Sequence, residues 1–288
     1  MSVNRIYVPG QEWVYYKIYC GTRTSDSILT DTILPLAQEL VEKGWIKKWF
    51  FIRYTDPDYH LRIRFLLSDI QYLGNLMVSF QKIISSYVKD DIIYKVQNDT
   101  YTRELERYGE ENIEASETLF YHESDMLIKA MSLIEDDSLY FNFILKAIDH
   151  LLDDFNYDID EKIHFATLNR NAFWDEFNGN KVLTKQLDKK YRTHKDDFTH
   201  FLTSNIEELA PLDQLLYTKS IDSKPIIKNI SAYLDKENTQ SSDSLLSSYV
   251  HMLVNRAFRS KQRFYELVCY DFLMKFYRYL KHHKDQSS

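Results

Sequence analysis

The chain has 288 residues, of which 44% are hydrophobic, so it can bury a sizeable core in one large domain or two closely packed ones. Its formal net charge of −7 argues against a general affinity for DNA or RNA, and two cysteines cannot form a disulfide framework. There is neither a signal-peptide pattern nor an apolar run of membrane-spanning length. These features predict a soluble cytoplasmic protein.

The first hundred residues predict a mainly antiparallel sheet with helices packed on one face. The pattern is β-α-β-β-α-β, because runs of aromatic and β-branched residues alternate with amphipathic stretches. The predicted elements are a strand over 13–20, a helix from Ser25 or Asp26 to about Lys43, strands over 49–54 and 60–65 around a turn at 56–58, a helix from Ser68 or Asp69 to about Val88, and a strand over 92–97.

The remainder of the chain is predicted to be mostly helical, which makes the fold class α+β. The predicted helices are 111–135, 138–154, 159–176, 183–203, 205–217 and a long last helix over 244–282. Residues 218–243 are predicted to be a surface loop, because they contain Pro225 and a polar run at 238–242. We expect a single domain over 1–288, with a sheet-containing part (1–110) and a mostly helical part (111–288).

The second strand after the turn carries the first candidate site. Alternation places His60, Arg62 and Arg64 on one face and the apolar residues between them on the other. Such a face is unfavourable when it is buried without partners, so it is either solvated or an anion site. Arginine offers a planar fork of donors that matches a carboxylate. Taken alone, the pattern favours a solvated face.

A second motif runs from Tyr101 to Gly109. Arg107 lies three residues after Glu104 and four after Arg103, so these side chains are neighbours if the segment forms a helical turn. An ordinary salt-bridged turn is the commoner meaning of such a cluster. In a functional site, Glu104 would hold Arg107 as a third cation. Gly109 fits a turn that needs a positive φ.

A third motif lies near the start of the last predicted helix. His251 and Asn255 are four residues apart and share a helix face, and Arg256 follows. A lone helical histidine is more often structural, but histidine is also the side chain best matched to proton transfer near neutral pH. No cysteine–histidine cluster, phosphate-binding glycine loop or serine elbow is present, so no metal or nucleotide cofactor is implied.

Together with Trp13-x-Tyr15-x-Lys17-x-Tyr19-x-Gly21, the three motifs resemble the C-terminal glutamate-elimination domain of class I lantibiotic dehydratases. The same domain occurs alone as the thiopeptide-type bacteriocin biosynthesis family. The resemblance covers nearly the whole chain in the family's order, with one departure at Glu110, where the family motif often has a second glycine.

The resemblance implies the second half of a two-step dehydration. A larger domain, absent from this sequence, transfers glutamate from glutamyl-tRNA to Ser or Thr of a precursor peptide. The elimination domain then removes glutamate and leaves dehydroalanine or dehydrobutyrine. We therefore expect a stand-alone lyase without metal or cofactor, since a carboxylate leaves easily. Its expected partners are the precursor peptide, a separate glutamylating protein and a cyclase, with no direct nucleic acid and no membrane span. A homodimer is left open.

The resemblance also implies roles for ten residues. Those carried over as catalytic are Arg62, Arg64, Glu104, Arg107 and His251. Those expected to bind substrate are His60, Arg53, Arg103, Asn255 and Arg256. In this hypothesis the three catalytic arginines clamp glutamate and the enolate, Glu104 orients Arg107, and His251 is the acid or base.

Two other functions stay open at this stage. One is the cycloaddition branch of the same family, which joins two dehydroalanines into the pyridine ring of thiopeptides. The other is a non-catalytic subunit that presents the precursor peptide to a partner. Retention of the full set of arginine, glutamate and histidine residues favours elimination over both.

Overall fold

A four-stranded antiparallel sheet forms the N-terminal part of the protein in the computed structural model, which describes residues 3–204, 206–236 and 241–287. The strands are β1 (Ile6–Tyr7), β2 (Trp13–Cys20), β3 (Ile46–Thr55), β4 (Tyr59–Leu67), β5 (Ile93–Asn98) and β6 (Tyr101–Thr102). The sheet has the order β3-β4-β2-β5, while β1 and β6 form a separate antiparallel pair. The predicted β-α-β-β-α-β pattern is confirmed, and β1 and β6 are additions to it.

Helices cover one face of this sheet. They are α1 (Ser25–Ile28), α2 (Leu34–Glu42) and α3 (Leu73–Lys89), with a π-helical turn at Leu29–Ile33 and a 3-10 turn at Ile70–Tyr72. Pro35 lies in the first turn of α2, where a residue without an N–H is best tolerated. The stacked rings of Tyr16 and Phe80, 3.9 Å apart, show how closely α3 packs on β2.

The remaining helices form the rest of the core. They are α4 (Leu105–Tyr108), α5 (Ile113–Leu133), α6 (Asp137–Asp154), α7 (Ile159–Glu176), α8 (Lys181–Thr203), α9 (Ala210–Lys236), α10 (Ser242–Ala257) and α11 (Gln262–Ser287), with a 3-10 turn at Glu207–Leu209. Helix α5 packs against β3, α9 and α10, and α11 packs against α7. Across the three described ranges, no helix combines the length and apolar character that crossing a membrane requires.

Pro225 lies inside α9, so the loop predicted over 218–243 is wrong for residues 218–236. A proline inside a helix costs about 3 kcal/mol through the lost hydrogen bond and a clash. Packing offsets that cost, because Leu216, Ile227 and Ile230 are buried on both sides of the proline. Residues 237–240 of the predicted loop lie outside the described residues.

The predicted single helix over 244–282 is also wrong, because it is broken between α10 and α11. Lys261 has a φ of 55°, and the ring of Phe258 stacks on that of Tyr265 at 3.8 Å. These contacts stabilise a tight reversal, so the start of α11 turns back towards α10. Sequence periodicity alone does not show such a break, since both halves are good helix formers.

Two buried glutamates of α5 connect the separate parts of the chain. The carboxylate of Glu117 accepts two hydrogen bonds of 2.7 Å from Arg103 and one of 2.9 Å from the hydroxyl of Tyr101. Glu123 forms an ion pair with Arg256 of α10, and both side chains are fully buried. Helix α5 therefore fixes the segment before α4 and the end of α10 through charged pairs.

Replacing Arg256 by methionine should strongly destabilise the fold. Arg256→Met keeps an unbranched stem but leaves Glu123 as a buried charge without its partner, a change that typically costs about 3–5 kcal/mol. Lys43→Met, which breaks an exposed pair with Glu39, should cost at most about 1 kcal/mol. Urea unfolding of the two variants gives the free energies, and similar small losses in both would contradict a framework role for Arg256.

Candidate functional site

The sheet face opposite α2 and α3 carries the predicted cations. Strand β4 places His60, Arg62 and Arg64 on this face, as the alternation predicts. On β2, Tyr19, Lys17 and Tyr15 stand directly opposite these three residues in the same order. On β3, the corresponding positions are Tyr54, Ile52 and Phe50. We call the surface around Arg62, Arg64 and Lys17 the cation face.

Arg64 is enclosed by aromatic rings. Its Cζ atom lies 4.7 Å from the ring centre of Tyr15, 5.1 Å from that of Phe50 and 4.5 Å from that of Tyr101. Aromatic faces attract cations, so the rings hold the guanidinium in a largely buried position. Its Nε atom is buried without a hydrogen-bond partner, and no carboxylate of the described residues forms an ion pair with it. A buried guanidinium of this kind is prepared for an anion.

Arg62 is oriented by His60. The Nε atom of Arg62 donates to Nε2 of His60 at 3.2 Å, and its Cζ atom lies 3.4 Å above the ring of Tyr54. Nδ1 of His60 lies 2.9 Å from the carbonyl oxygen of Asp58, which fixes the Nδ1–H tautomer. Burial lowers the pKa of His60, and the nearby Arg62 and Lys17 lower it further. His60 thus stays neutral and positions Arg62, rather than offering a free donor to substrate.

Lys17 stands directly opposite Arg62 on the neighbouring strand. Like charges in this position are destabilising, and Asp99 offsets part of the repulsion through an ion pair with Lys17. Sequence reasoning did not single out Lys17 as a site residue. The signal was present, since alternation along β2 puts Lys17 on the same face as Tyr15 and Tyr19.

His251 is paired with a buried carboxylate. Its Nδ1 atom lies 2.8 Å from Oε1 of Glu266 in α11, and Glu266 is 2% exposed. With Nδ1–H donating to Glu266, Nε2 keeps its lone pair, and it has no hydrogen-bond partner among the described residues. The side chain of His251 is 27% exposed. A partly exposed imidazole held in this way is arranged to take a proton.

Glu266 was missed because of the break between α10 and α11. In one continuous helix, the 15 residues between His251 and Glu266 would span about 22 Å at ~1.5 Å per residue. The reversal brings the two side chains into contact instead. A signal existed, because Glu266 is a charged residue directly before the apolar run Leu267-Val268-Cys269, at a position that the structure buries.

Glu104 and Arg107 form the predicted ion pair at the surface, with Nη1 and Oε2 3.2 Å apart and both side chains exposed. Glu104 directly precedes α4, and Gly109 follows it with a φ of 80°. A Cβ atom on Gly109 would lie 2.1 Å from the hydroxyl of Tyr233, so only glycine fits. This turn therefore fixes the position of the ion pair.

An aromatic cluster links this turn to the other two motifs. The ring of Tyr108 lies 5.9 Å from Tyr249, two residues before His251, and 5.3 Å from Phe120. The ring of Phe120 in turn lies 5.6 Å from that of Phe50, which contacts Arg64. The three motifs thus pack around one aromatic core, although they are far apart in sequence.

Arg53 and Asn255, predicted to bind substrate, make hydrogen bonds within the protein. Arg53 lies on the sheet face opposite the cation face, and its guanidinium donates to the carbonyl of Arg256 at 2.8 Å, to Ser25 at 2.7 Å and to Asp26 at 2.6 Å. The side chain of Asn255 accepts from the backbone N–H of Arg53 at 3.1 Å and donates to its C=O at 3.0 Å. Asn255 therefore acts as a hydrogen-bonding partner for the edge strand β3.

Arg103 and Arg256, also predicted to bind substrate, are buried against α5 through Glu117 and Glu123. Arg256 further donates to the carbonyls of Met252 at 2.9 Å and Phe120 at 2.7 Å. These contacts leave both guanidiniums within the framework. Among the predicted substrate-binding residues, His60 alone lies on the cation face. The described ranges contain no group of three or more His, Cys, Asp or Glu placed to hold a metal.

Comparison with known proteins gives a consistent family. The family model described as lantibiotic biosynthesis dehydratase C-term matches residues 13–277. The nisin biosynthesis protein NisB of Lactococcus lactis subsp. lactis is 25% identical over 267 residues, which is 88% of this chain and 24% of that protein. The chain spans less than a quarter of the length of the curated relatives it matches.

Two solved structures share the fold. The tRNA-dependent lantibiotic dehydratase MibB from Microbispora superposes with a TM-score of 0.74 at 20% identity, over 93% of this chain and 28% of that one. The pyridine synthase TbtD from thiomuracin biosynthesis superposes with a TM-score of 0.68 at 12% identity, over 93% of this chain and 100% of that one. At these identities the similarity concerns the fold alone.

Acidification should destabilise the protein partly through His60. Because burial holds the folded-state pKa of His60 below the ordinary histidine value of about 6.5, the unfolded chain binds the proton more readily, and stability is lost as pH falls below about 6.5. His60→Gln keeps an acceptor near Arg62 without this titration. Urea unfolding at pH 7.5 and 5.5 should therefore show a larger loss for the wild type than for His60→Gln.

Two other histidines also make stability depend on pH in this comparison. Burial also lowers the pKa of His122 and His150, so both proteins should lose some stability at pH 5.5. Equal losses in the wild type and in His60→Gln would show that His60 is not held neutral by the fold.

Proposed function

Because the chain belongs to the family of lantibiotic biosynthesis dehydratase C-terminal domains, we propose that it is a lyase that eliminates glutamate from glutamylated Ser or Thr side chains of a precursor peptide. The product is dehydroalanine or dehydrobutyrine. The observation that carries the proposal is a cation face on which Arg62 and Arg64 have no carboxylate partner among the described residues. The departing glutamate is an anion of the kind that this face would bind.

The chemistry of elimination assigns separate tasks to the site. A base removes the α-proton of the modified residue, and the electrons of that C–H bond form the carbon–carbon double bond. The bond from the β-carbon to the ester oxygen breaks, and its electrons leave with the glutamate carboxylate. Negative charge therefore grows on the enolate and on the leaving group. Arg62 and Arg64 are placed to stabilise such charge through ionic hydrogen bonds.

His251 is the proposed base. Glu266 accepts the Nδ1–H hydrogen bond and stabilises the imidazolium that forms when Nε2 takes the α-proton. The exposed pair of Glu104 and Arg107 supplies a third cation for the substrate. This proposal gives no substrate-binding role to four residues whose side chains form contacts within the framework: Arg53, Arg103, Asn255 and Arg256.

The similarity to the pyridine synthase TbtD favours a second candidate, a cycloaddition between two dehydroalanines. That reaction releases no glutamate. Two arginines without carboxylate partners among the described residues, and a histidine oriented by a buried glutamate, correspond better to proton removal and anion departure. A peptide-presenting subunit would need neither feature. A separate glutamylating protein, a cyclase partner and a homodimer stay predictions.

A chemically glutamylated precursor peptide should release free glutamate and become lighter by the mass of one glutamic acid. His251→Ala should reduce this rate by about 10²–10⁴-fold, the usual contribution of a general base. Mass spectrometry of the peptide and enzymatic detection of glutamate give the rates. His164→Ala, which removes an exposed histidine of α7, is the matched control. A glutamyl ester that stays intact during incubation with the wild-type protein would contradict the proposal.

Glu266→Gln should slow elimination about 10- to 100-fold with little change in KM, because the imidazolium loses its stabilising charge but keeps an acceptor. Proton removal then limits the rate more fully, so the kinetic isotope effect with an α-deuterated peptide should rise. Glu176→Gln changes an exposed carboxylate that pairs with Arg263 near Glu266, and it serves as the control. If Glu266→Gln leaves the isotope effect unchanged but lowers the free energy of unfolding, the role of Glu266 is structural.

A further inference from the structure

The hydroxyl of Tyr15 is a buried donor without an acceptor. Tyr15 is 3% exposed, and its hydroxyl oxygen has no hydrogen-bond partner within residues 3–204, 206–236 and 241–287. The residue stands directly opposite Arg64 in the sheet. Its ring centre lies 4.7 Å from Cζ of Arg64 and 5.8 Å from Nζ of Lys17. Polar groups in this position usually have a partner, so this hydroxyl calls for an explanation.

The surroundings of Tyr15 are rich in cations. Burial raises the pKa of Tyr15, while Arg64, Arg62 and Lys17 act in the opposite direction. Asp99, the carboxylate that also acts on it, is engaged in an ion pair with Lys17. The Nε1 atom of Trp13 is a second buried donor that finds no acceptor in the described part of the chain, and the Trp13 ring contacts the rings of Phe50 and Tyr101 that enclose Arg64.

We propose that Tyr15, Lys17 and Arg64 form a subsite for the free carboxylate of the acyl group that leaves, and that this subsite selects glutamyl over glutaminyl esters. The inference rests on the proposed elimination. Glutamate that is esterified through one carboxyl group keeps a second carboxylate, which only accepts hydrogen bonds. The Tyr15 hydroxyl and the Nε atom of Arg64 have no acceptor among the described residues, and the ammonium group of Lys17 has three N–H donors, of which Asp99 can satisfy only part, so these three side chains match that group.

The neutral amide of a glutaminyl ester fits this subsite poorly. Its NH₂ group would face Arg64 and Lys17, so donors would oppose donors and the buried hydroxyl would gain at most one acceptor. A phenylalanine at position 15 would fill the same space without a buried hydroxyl, so packing alone does not require tyrosine. Lys17 and Arg62, which pair directly beside Tyr15 and Arg64 on the same face of the sheet, are partly exposed.

Tyr15→Phe tests this subsite with two esters on one peptide. Wild-type protein should process the glutamyl ester at least about tenfold faster in kcat/KM than the glutaminyl ester, and Tyr15→Phe should remove most of that preference by slowing the glutamyl ester alone. Tyr16→Phe, on the opposite face of the same strand and stacked on Phe80, should keep the preference. Equal slowing of both esters by Tyr15→Phe would overturn the assignment.

Calorimetric titration with free L-glutamate and L-glutamine separates the subsite from the proposed function. Glutamate that binds more tightly than glutamine to wild type, but not to Tyr15→Phe, would support the subsite even if no ester is eliminated. If the ester is eliminated but Tyr15→Phe binds glutamate as tightly as wild type does, the proposed function holds and the subsite is overturned. Absence of both binding and elimination would overturn both.

Discussion

The arrangement of the site depends on two carboxylates buried in one helix. Glu117 and Glu123 of α5 have no contact with solvent, so each requires a cation within the protein. Arg103, directly before α4, satisfies the first, and Arg256, near the end of α10, satisfies the second. Helix α5 therefore fixes the position of the segment with Glu104 and Arg107, and also that of the segment with His251. Since α5 also packs on β3, the same helix relates these segments to the sheet.

Two kinds of arginine follow from this arrangement, and sequence alone does not distinguish them. Arg53, Arg103 and Arg256 have acceptors for their guanidiniums inside the protein. Arg62 and Arg64 are held by aromatic rings and by one imidazole nitrogen, neither of which neutralises their charge. A family motif contains both kinds because a framework arginine can be as necessary as one that binds an anion. The distinguishing property is the number of acceptors within reach, which only the fold determines.

The local patterns in the sequence predicted the sheet and the cation face well. Alternation placed His60, Arg62 and Arg64 on one face of β4, because successive side chains of a strand point to opposite faces of the sheet. The errors arose where packing between distant segments decides the outcome. Burial around Pro225 keeps α9 helical, and the stack of Phe258 on Tyr265 breaks what periodicity indicated as one helix. The sequence alone could not show that Glu266 pairs with His251, since the two side chains meet only because the chain reverses between α10 and α11.

The framework residues also hold the helix that carries His251 against the sheet that carries the cation face. His251 lies one helical turn before Asn255, whose side chain forms two hydrogen bonds with the backbone of β3 at Arg53. Arg256 anchors the same turn to α5. Helix α10, and His251 with it, therefore cannot shift along its axis without breaking contacts with the sheet and with α5. Under the proposed function, Arg53, Asn255 and Arg256 contribute indirectly, because they hold the helix with the proposed base, His251, against the sheet that carries the proposed anion-binding arginines.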